Sequence, residues 1–380
     1  MLYRKMKKAA PELSILGFGC MRLPVKENGQ IDEVTATGMI RYAIDHGVNY
    51  VDTAYPYHNG ESEPFVGRAL ADGYREKVNL ATKLPSWLVT SREDMDKYLD
   101  EQLARLRTDT IDFYLVHGLN QPFWENLSAL GVTDFLDAAI ADGRIRHAGF
   151  SFHDNVTLFK EIVNSYDWTF AQIQYNFMDE HYQAGTEGLL YAAKEGLGIV
   201  VMEPIRGGLL ARELAGITGI WQKAKVKHSP AEWALRWVWN HPEVTVVLSG
   251  MSTPEQVRQN VALAGTGLPG SLTRSESALF GKVRKELKKR IIIPCTGCKY
   301  CVPCPNGVSI PECFEMFNRG HIYEDEEQTR QHYSMFLGGF FDGTPHYASL
   351  CEECGECEEK CPQGLPIREH LKTVAAYFGK

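Results

Sequence analysis

Eight short apolar runs, each followed by a helical pattern, constrain this chain of 380 residues more than any other feature in it. The runs are LGFG (16–19), NYVDT (49–53), VNLATK (78–83), IDFYLVH (111–117), RHAGFS (146–151), FAQIQY (170–175), GIVVM (198–202) and VTVVLS (244–249). They are continuous rather than alternating, the pattern of parallel strands covered on both faces. Between them lie helix signals. Ser91 and Asp94 form a capping box ahead of Met95, Leu99, Leu103 and Leu106 on one face. Pro230 and Pro254 stand where a first helical turn tolerates proline. Strand and helix alternating eight times predict an α/β fold of the (β/α)8 TIM-barrel class. A doubly wound open sheet is the alternative, but GFGCMR supplies only the first two glycines of the G-x-G-x-x-G fingerprint such a sheet would want.

In such a barrel the C-terminal strand ends build the active site. The second run ends at Asp52, the third at Lys83 and the fourth at His117, with Tyr57 five residues beyond Asp52. The four form a coherent set. A phenol alone is a poor acid at neutral pH. A lysine ammonium beside it favours the phenolate and should lower its pKa. An aspartate holds the lysine, and a neutral histidine can orient a substrate carbonyl. The set is suited to protonating a carbonyl oxygen while hydride arrives at carbon.

D-T-A-x-x-Y at 52–57, Lys83 and the DFYLVH stretch resemble the aldo-keto reductase superfamily, over about residues 1 to 265. The resemblance implies a barrel that reduces an aldehyde or ketone, or oxidises an alcohol, with NADP or NAD. It implies Asp52, Tyr57, Lys83 and His117 as the catalytic tetrad. Gln174 matches the glutamine that meets the nicotinamide amide, and Ser151 the serine of G-x-S-N, with Phe152 replacing the asparagine. Met202 stands at the place of the usual stacking tyrosine. EPIRGGLL (203–210), with Pro204, Gly207 and Gly208, resembles the pyrophosphate-covering loop. SGMSTPEQVRQN (249–260), with Ser249, Gly250, Ser252, Gln256 and Asn260, resembles the adenosine-phosphate loop. That loop often carries cations for the 2′-phosphate; here Gly250 and Gln256 hold the matching positions and Arg258 is off register, so NADPH and NADH both stay open. Trp87, Trp124 and Tyr175 are aromatic residues expected near the barrel mouth or in its core.

Cysteine usage points to a second chemistry. Nine of the ten cysteines lie after residue 294, and only Cys20 lies elsewhere. Cys351, Cys354, Cys357 and Cys361, followed by Pro362, match the bacterial-ferredoxin run C-x2-C-x2-C-x3-C-P. Cys295, Cys298, Cys301 and Cys304, followed by Pro305, form a second run whose last spacing is one residue short. Soft thiolates suit iron–sulfur clusters, and two 4Fe-4S clusters are expected. By analogy with two-cluster ferredoxins, Cys361 would join the first three cysteines of the earlier run, and Cys304 the first three of the later one. Zinc held by four cysteines is the competing reading. Cys313 is the spare and reads as a small buried hydrophobe. The stretch between the runs looks helical, so a mostly helical ferredoxin-like domain is expected, and the chain resembles the aldo-keto reductase subgroup that carries such a domain at its C-terminus.

Three regions follow: a barrel at 1–275, a connecting basic amphipathic helix at 276–294 with Leu279, Val283 and Leu287 in a stripe, and an iron–sulfur domain at 295–380. The last 86 residues hold 13 acidic and 7 basic side chains, a balance of −6, which argues against nucleic acid and leaves room for a basic redox partner protein. No apolar run reaches membrane-spanning length and the N-terminus lacks a signal h-region, so a cytoplasmic enzyme is expected. An electron-transfer or redox-sensing protein, in which the clusters carry the main function, is the alternative. The clusters could also serve as staples for a small domain.

Overall fold

In the computed structural model, which describes every residue except Ala10, Thr296, Cys298, Lys299, Tyr300, Phe341, Asp342 and Pro362, the eight runs become eight strands. The predicted ligand Cys298 therefore lies outside the described residues. A short antiparallel hairpin comes first, β1 (Tyr3–Lys5) and β2 (Glu12–Ser14). The barrel strands are β3 (Leu16–Gly19), β4 (Tyr50–Asp52), β5 (Asn79–Leu84), β6 (Ile111–Leu119), β7 (Ile145–Phe152), β8 (Phe170–Gln174), β9 (Gly198–Met202) and β10 (Val244–Ser249). They pair in parallel in chain order, and β10 closes on β3. The open-sheet alternative is thereby ruled out.

The interior of the barrel is filled from the bottom. Tyr50, Ala81, Phe113, Leu115, Phe170, Val200, Val246 and Leu248 pack together with Met6, Ala9 and Leu13 from the N-terminal hairpin segment. That segment acts as a plug, a feature the strand–helix rhythm does not announce. Side chains alternate across a strand with period two. Positions two residues beyond those interior side chains therefore also point inward, but at the C-terminal mouth. They are Asp52, Lys83, His117, Gln172, Met202 and Gly250. Gly17 and Gly149 make space in this filling: a Cβ at Gly17 would lie 2.8 Å from Leu248 and Val246 side chains, and one at Gly149 would lie 2.4 Å from the Phe170 ring.

The helices form as their local signals direct. Ser91 and Asp94 make a reciprocal capping box on the helix Arg92–Leu106. Pro230 and Pro254 each occupy a first turn, capped by Ser229 and Thr253.

The chain divides into two compact units, but not by one cut near residue 275. The first contains Met1–Ala211 and His228–Arg274; the second contains Arg212–Lys227 and Ser275–Lys380. Two expectations are revised. The segment 212–227, which connects β9 to the next barrel helix, belongs to the second unit. The expected connecting helix is Arg274–Lys288; from Ser275 on it falls in the second unit, and its stripe of Leu279, Phe280, Val283 and Leu287 is buried. The Phe280 ring meets the ring of Trp221 at 5.1 Å, which explains the assignment. Further on, the unit is helical, with Ile310–Tyr323, Glu326–Leu337 and Ile367–Phe378 around a core that includes Cys313, Phe314, Phe317, Tyr333, Leu371 and Phe378.

The glycine at 149 can be tested directly. Gly149→Ala should destabilise the barrel by about 1–3 kcal/mol, because the ring it meets is itself packed. Gly38→Ala, at a helical site with open space around the added methyl, should be neutral or mildly stabilising. Thermal unfolding of the full chain followed by far-UV circular dichroism separates the two.

Candidate functional site

The tetrad converges at the barrel mouth, and its anchor is an ion pair. Lys83 Nζ donates to Asp52 Oδ1 at 2.7 Å and to the Thr53 carbonyl at 2.7 Å. Neither side chain is open to water, at 0% and 3% exposure. The ammonium also lies 5.1 Å from the centre of the Tyr57 ring. Tyr57 is held there by the tight turn Tyr57–Gly60, in which His58 and Asn59 adopt left-handed φ of 52° and 56°. His117 stands edge-on to Tyr57, with ring centres 6.4 Å apart, and Trp87 packs on His117 at 5.2 Å. Of the three aromatics expected near the mouth, Trp87 is thus in the site. Trp124 is buried within its helix, and Tyr175 is core, bonded through its hydroxyl to Thr186 at 2.8 Å.

Electrostatics assigns protonation states. Burial works against charge on Lys83, but Asp52 and then Tyr57 outweigh it, and the ammonium pKa rises. His117 is pushed well below the usual imidazole value, first by burial and then by Lys83, so the ring is neutral. Tyr57 departs from the expectation of a lowered pKa. Burial raises it, and the opposing pull of Lys83 does not fully compensate, so the phenol holds its proton. Cys20, at the end of β3, is buried beside the pair; burial, and then Asp52, push its thiol up and keep it neutral. Asp52 Oδ2 and His117 Nδ1 are buried, with no hydrogen-bond partner among the described residues.

Around this centre the predicted dinucleotide residues divide by what their polar atoms already do. Ser151 Oγ accepts from the Gly118 amide at 2.7 Å, which leaves its hydroxyl proton to give. Gln174 is already engaged: its Nε2 donates to Asp179 Oδ2 at 3.0 Å, and Arg206 Nε pairs with the same oxygen at 3.1 Å. Gln172, two residues earlier on the same face, lies against Met202 (Nε2 to Sδ 3.6 Å) and keeps a buried Oε1 with no partner among the described residues. Sequence reasoning passed over Gln172. The period-two pattern of Gln172 and Gln174 offered both, and only their partners distinguish them. After β9, Pro204 is buried, and the backbone is left-handed at Glu203, Arg206, Gly207 and Gly208. An added Cβ at Gly208 would meet nothing within 4 Å, so a ligand can approach the backbone there. After β10, Asn260 Nδ2 donates to Ser249 Oγ at 3.1 Å, and Ser252 N donates to Gln256 Oε1 at 2.8 Å. Gln256 and Asn260 brace the loop around Gly250 from the helix that follows. Arg258 is turned to Glu255, at 3.0 Å.

In the second unit, one cavity is lined by Cys301, Cys304, Cys351, Cys354 and Cys357, with Pro303, Pro305 and Leu371 among its walls. Cys295 and Cys361 pack at the edge of the helical core, and Cys295 Sγ accepts from the Gly297 amide at 3.4 Å. No described cysteine is in a disulfide. Among the described residues no three ligand side chains close on a single metal point. Five thiols lining one cavity suit the soft-ligand demand of an iron–sulfur cluster. Cys313 is buried in the core against the Tyr333 hydroxyl at 3.7 Å and is no part of that cavity.

The ion pair yields a stability test. Lys83→Met leaves the Asp52 carboxylate buried without its counter-charge, which should cost about 3–5 kcal/mol in barrel stability. Lys83→Met combined with Asp52→Asn should recover a large part of that loss, read from denaturant unfolding of the barrel.

Comparison with known proteins agrees with this arrangement. Residues 15–269 match the aldo/keto reductase family, and residues 294–365 match the 4Fe-4S dicluster domain. An uncharacterized oxidoreductase of Bacillus subtilis, YqkF, is 26% identical over 294 residues, spanning 69% of this chain and 90% of its own. The NADH-specific methylglyoxal reductase of Escherichia coli is 26% identical over 305 residues, spanning 69% and 91%. The holo form of aldo-keto reductase AKR11C1 from Bacillus halodurans superimposes with a TM-score of 0.63 at 27% identity, covering 74% of this chain and 96% of that one. With its closed parallel barrel and the Asp52–Lys83 pair beneath Tyr57 and His117, the chain belongs to the aldo/keto reductase family and carries a 4Fe-4S dicluster domain in its C-terminal region.

Proposed function

We propose that this oxidoreductase reduces an aldehyde or ketone, or oxidises the corresponding alcohol, with NADPH or NADH, and that Tyr57 is its general acid and base. One observation carries the reading: a fully buried ammonium, fixed by Asp52 and Thr53, lies against the ring of a protonated phenol beside a neutral imidazole. The dinucleotide fits the residues present. Gln172 offers an unsatisfied amide oxygen, Ser151 a free hydroxyl proton, Met202 an apolar face, and Gly208, in the loop with Pro204 and Gly207, an open approach to the backbone. Ser249, Gly250, Ser252, Gln256 and Asn260 shape the loop at its far end. When bound, the nicotinamide supplies or accepts the hydride.

The chain's own residues manage the proton. A substrate carbonyl oxygen between Tyr57 Oη and the His117 ring receives a hydrogen bond from each. As negative charge develops on that oxygen, the Tyr57 proton transfers to it. The phenolate left behind is stabilised by the Lys83 ammonium, which Asp52 holds in place. In the alcohol direction the same phenolate takes the proton back. Because burial keeps the Tyr57 pKa above its ordinary value, reduction should persist through neutral pH and decline only as pH climbs through that raised value. Oxidation should rise over the same range.

In the second unit the five-thiol cavity supports cluster binding. Cys304 lines it with Cys351, Cys354 and Cys357, the grouping expected for one 4Fe-4S cluster, while Cys295, Cys298, Cys301 and Cys361 would hold the other. Thiolate ligation of such clusters supports a reducing compartment, the cytoplasm. No helix among the described residues is long and apolar enough to cross a membrane. The exposed Cys354, in a stretch rich in glutamate, favours a second reading in which the clusters exchange electrons with a protein partner or sense redox state.

Tyr57→Phe should abolish carbonyl reduction with either dinucleotide while leaving dinucleotide affinity within about twofold; retained turnover in a stopped assay at 340 nm would remove Tyr57 from its role. Anaerobically purified protein should contain about eight iron and eight sulfide per chain and show broad absorbance near 400 nm; stoichiometric zinc in colourless protein would overturn the cluster assignment.

A further inference from the structure

A thiolate-bound cluster becomes one charge more negative when it takes an electron, so its potential depends on the charges fixed around it. Around the later cysteine run the local charge opposes that step. Between Cys351 and Cys361 the chain carries Glu352, Glu353, Glu356, Glu358 and Glu359 against one cation, Lys360.

The wall of the thiol-lined cavity holds a second cation, Arg368. The two are held differently. Lys360 meets Glu356 at 3.5 Å, and both side chains are more than half exposed. Arg368 comes from another element, as the second residue of the helix Ile367–Phe378. Its backbone amide donates to Glu358 Oε1 at 2.9 Å, and its Nε and Nη2 donate to Glu358 Oε2 at 3.0 Å and 2.7 Å. Three bonds to one carboxylate fix the guanidinium in place and in orientation. Its other edge is turned to the cysteine loop. A Cβ placed on Gly355, between Cys354 and Cys357, would lie 3.8 Å from both Cζ and Nη1 of Arg368. Leu371, one turn along the same helix, lines the cavity too, so this face of the helix is turned to the thiols. The Arg368 side chain is 42% exposed, and a pair this open adds little to stability, so the residue can be changed without unfolding the unit.

We propose that the Arg368 guanidinium is the fixed counter-charge of the cluster held by Cys304, Cys351, Cys354 and Cys357, and that it raises the reduction potential of that cluster. The C-terminal helix thereby offsets the carboxylates that the cysteine run itself supplies. The proposal rests on the reading of the second unit as a domain that binds its clusters through these thiols.

The test uses anaerobically purified, full-length protein, with iron content measured and each potential taken from a mediated redox titration followed by electron spin resonance. Arg368→Gln removes the charge and keeps N–H groups for Glu358. It should lower one potential by about 59 mV, a tenfold change in the reduction equilibrium, and leave the potential of the other cluster where it was. Arg368→Lys, which keeps the charge, should stay near the wild type. Added salt should narrow the gap between wild type and Arg368→Gln, because the guanidinium is partly open to water. If Arg368→Gln loads iron as the wild type does and no potential moves, or if Arg368→Lys falls as far, the role of Arg368 is overturned and the cluster reading stands. Loss of iron in Arg368→Gln but not in Arg368→Lys supports the assignment, since the charge is then needed even to hold the cluster; loss in both overturns it. If the wild type itself holds no iron–sulfur cluster, the cluster reading falls, and this one with it.

Discussion

Lys83 is the residue on which the barrel mouth depends. Taking an ammonium out of water is costly unless a counter-charge and further acceptors meet it. Here Asp52 Oδ1 and the Thr53 carbonyl meet it, both supplied by β4 and the residue after it, the neighbouring strand of the sheet. The pairing is a consequence of register. Asp52 lies opposite Ala81, so Lys83, two residues on and on the same face, comes up beside the end of β4. Once the charge is fixed, the groups around it follow: it lowers the basicity of His117 and pulls against the burial that protects the Tyr57 proton. The chemistry of four side chains thus rests on one parallel strand pairing.

The same period-two rule explains what could be read from the residues alone. Eight apolar runs were visible because parallel strands are buried on both faces, and the tetrad was visible because Asp52, Lys83 and His117 fall at the ends of three of those runs. The N-terminal plug was not visible. Tyr3–Lys5 and Glu12–Ser14 are three-residue strands, too short to show a period, and their fit depends on the shape of the barrel bottom. The choice between Gln172 and Gln174 was equally hidden. Both point inward, and it is Asp179, five residues beyond Gln174, that occupies one and leaves the other's oxygen unsatisfied. The sign of the Tyr57 shift was missed for a related reason. A neighbouring cation can be read from sequence, but the extent of desolvation cannot.

The second unit shows a different balance. Its core is small but aromatic: Tyr333 stacks on Phe378 with ring centres 3.9 Å apart, and Phe317 meets Tyr377 at 5.1 Å. Cys301, Cys304, Cys351, Cys357 and Cys361 pack against the edge of that core. These proposed cluster ligands therefore rest against a packed core. The Tyr333 hydroxyl accepts from the Ala348 amide at 2.8 Å, three residues before Cys351, which ties the start of the second cysteine run to the helix Glu326–Leu337. Clusters placed here would complete a domain that already has an apolar centre, so a purely stapling role is not required by the fold.

The segment Arg212–Lys227 gives the two chemistries a covalent connection. It begins directly after the turn Arg206–Ala211, in which Gly208 leaves the backbone open, and it folds with the second unit. Arg290 holds it there, donating to the Ala215 carbonyl at 2.6 Å and pairing with Glu324 at 2.7 Å, and Arg212 pairs with Asp325. Leu214, Ile217 and Trp221 are buried as well. A free loop between β9 and its helix would fluctuate independently of everything else. This one is held within the second unit, and the chain on either side of it belongs to the barrel unit. The segment is covalently continuous with the turn that carries Gly207 and Gly208.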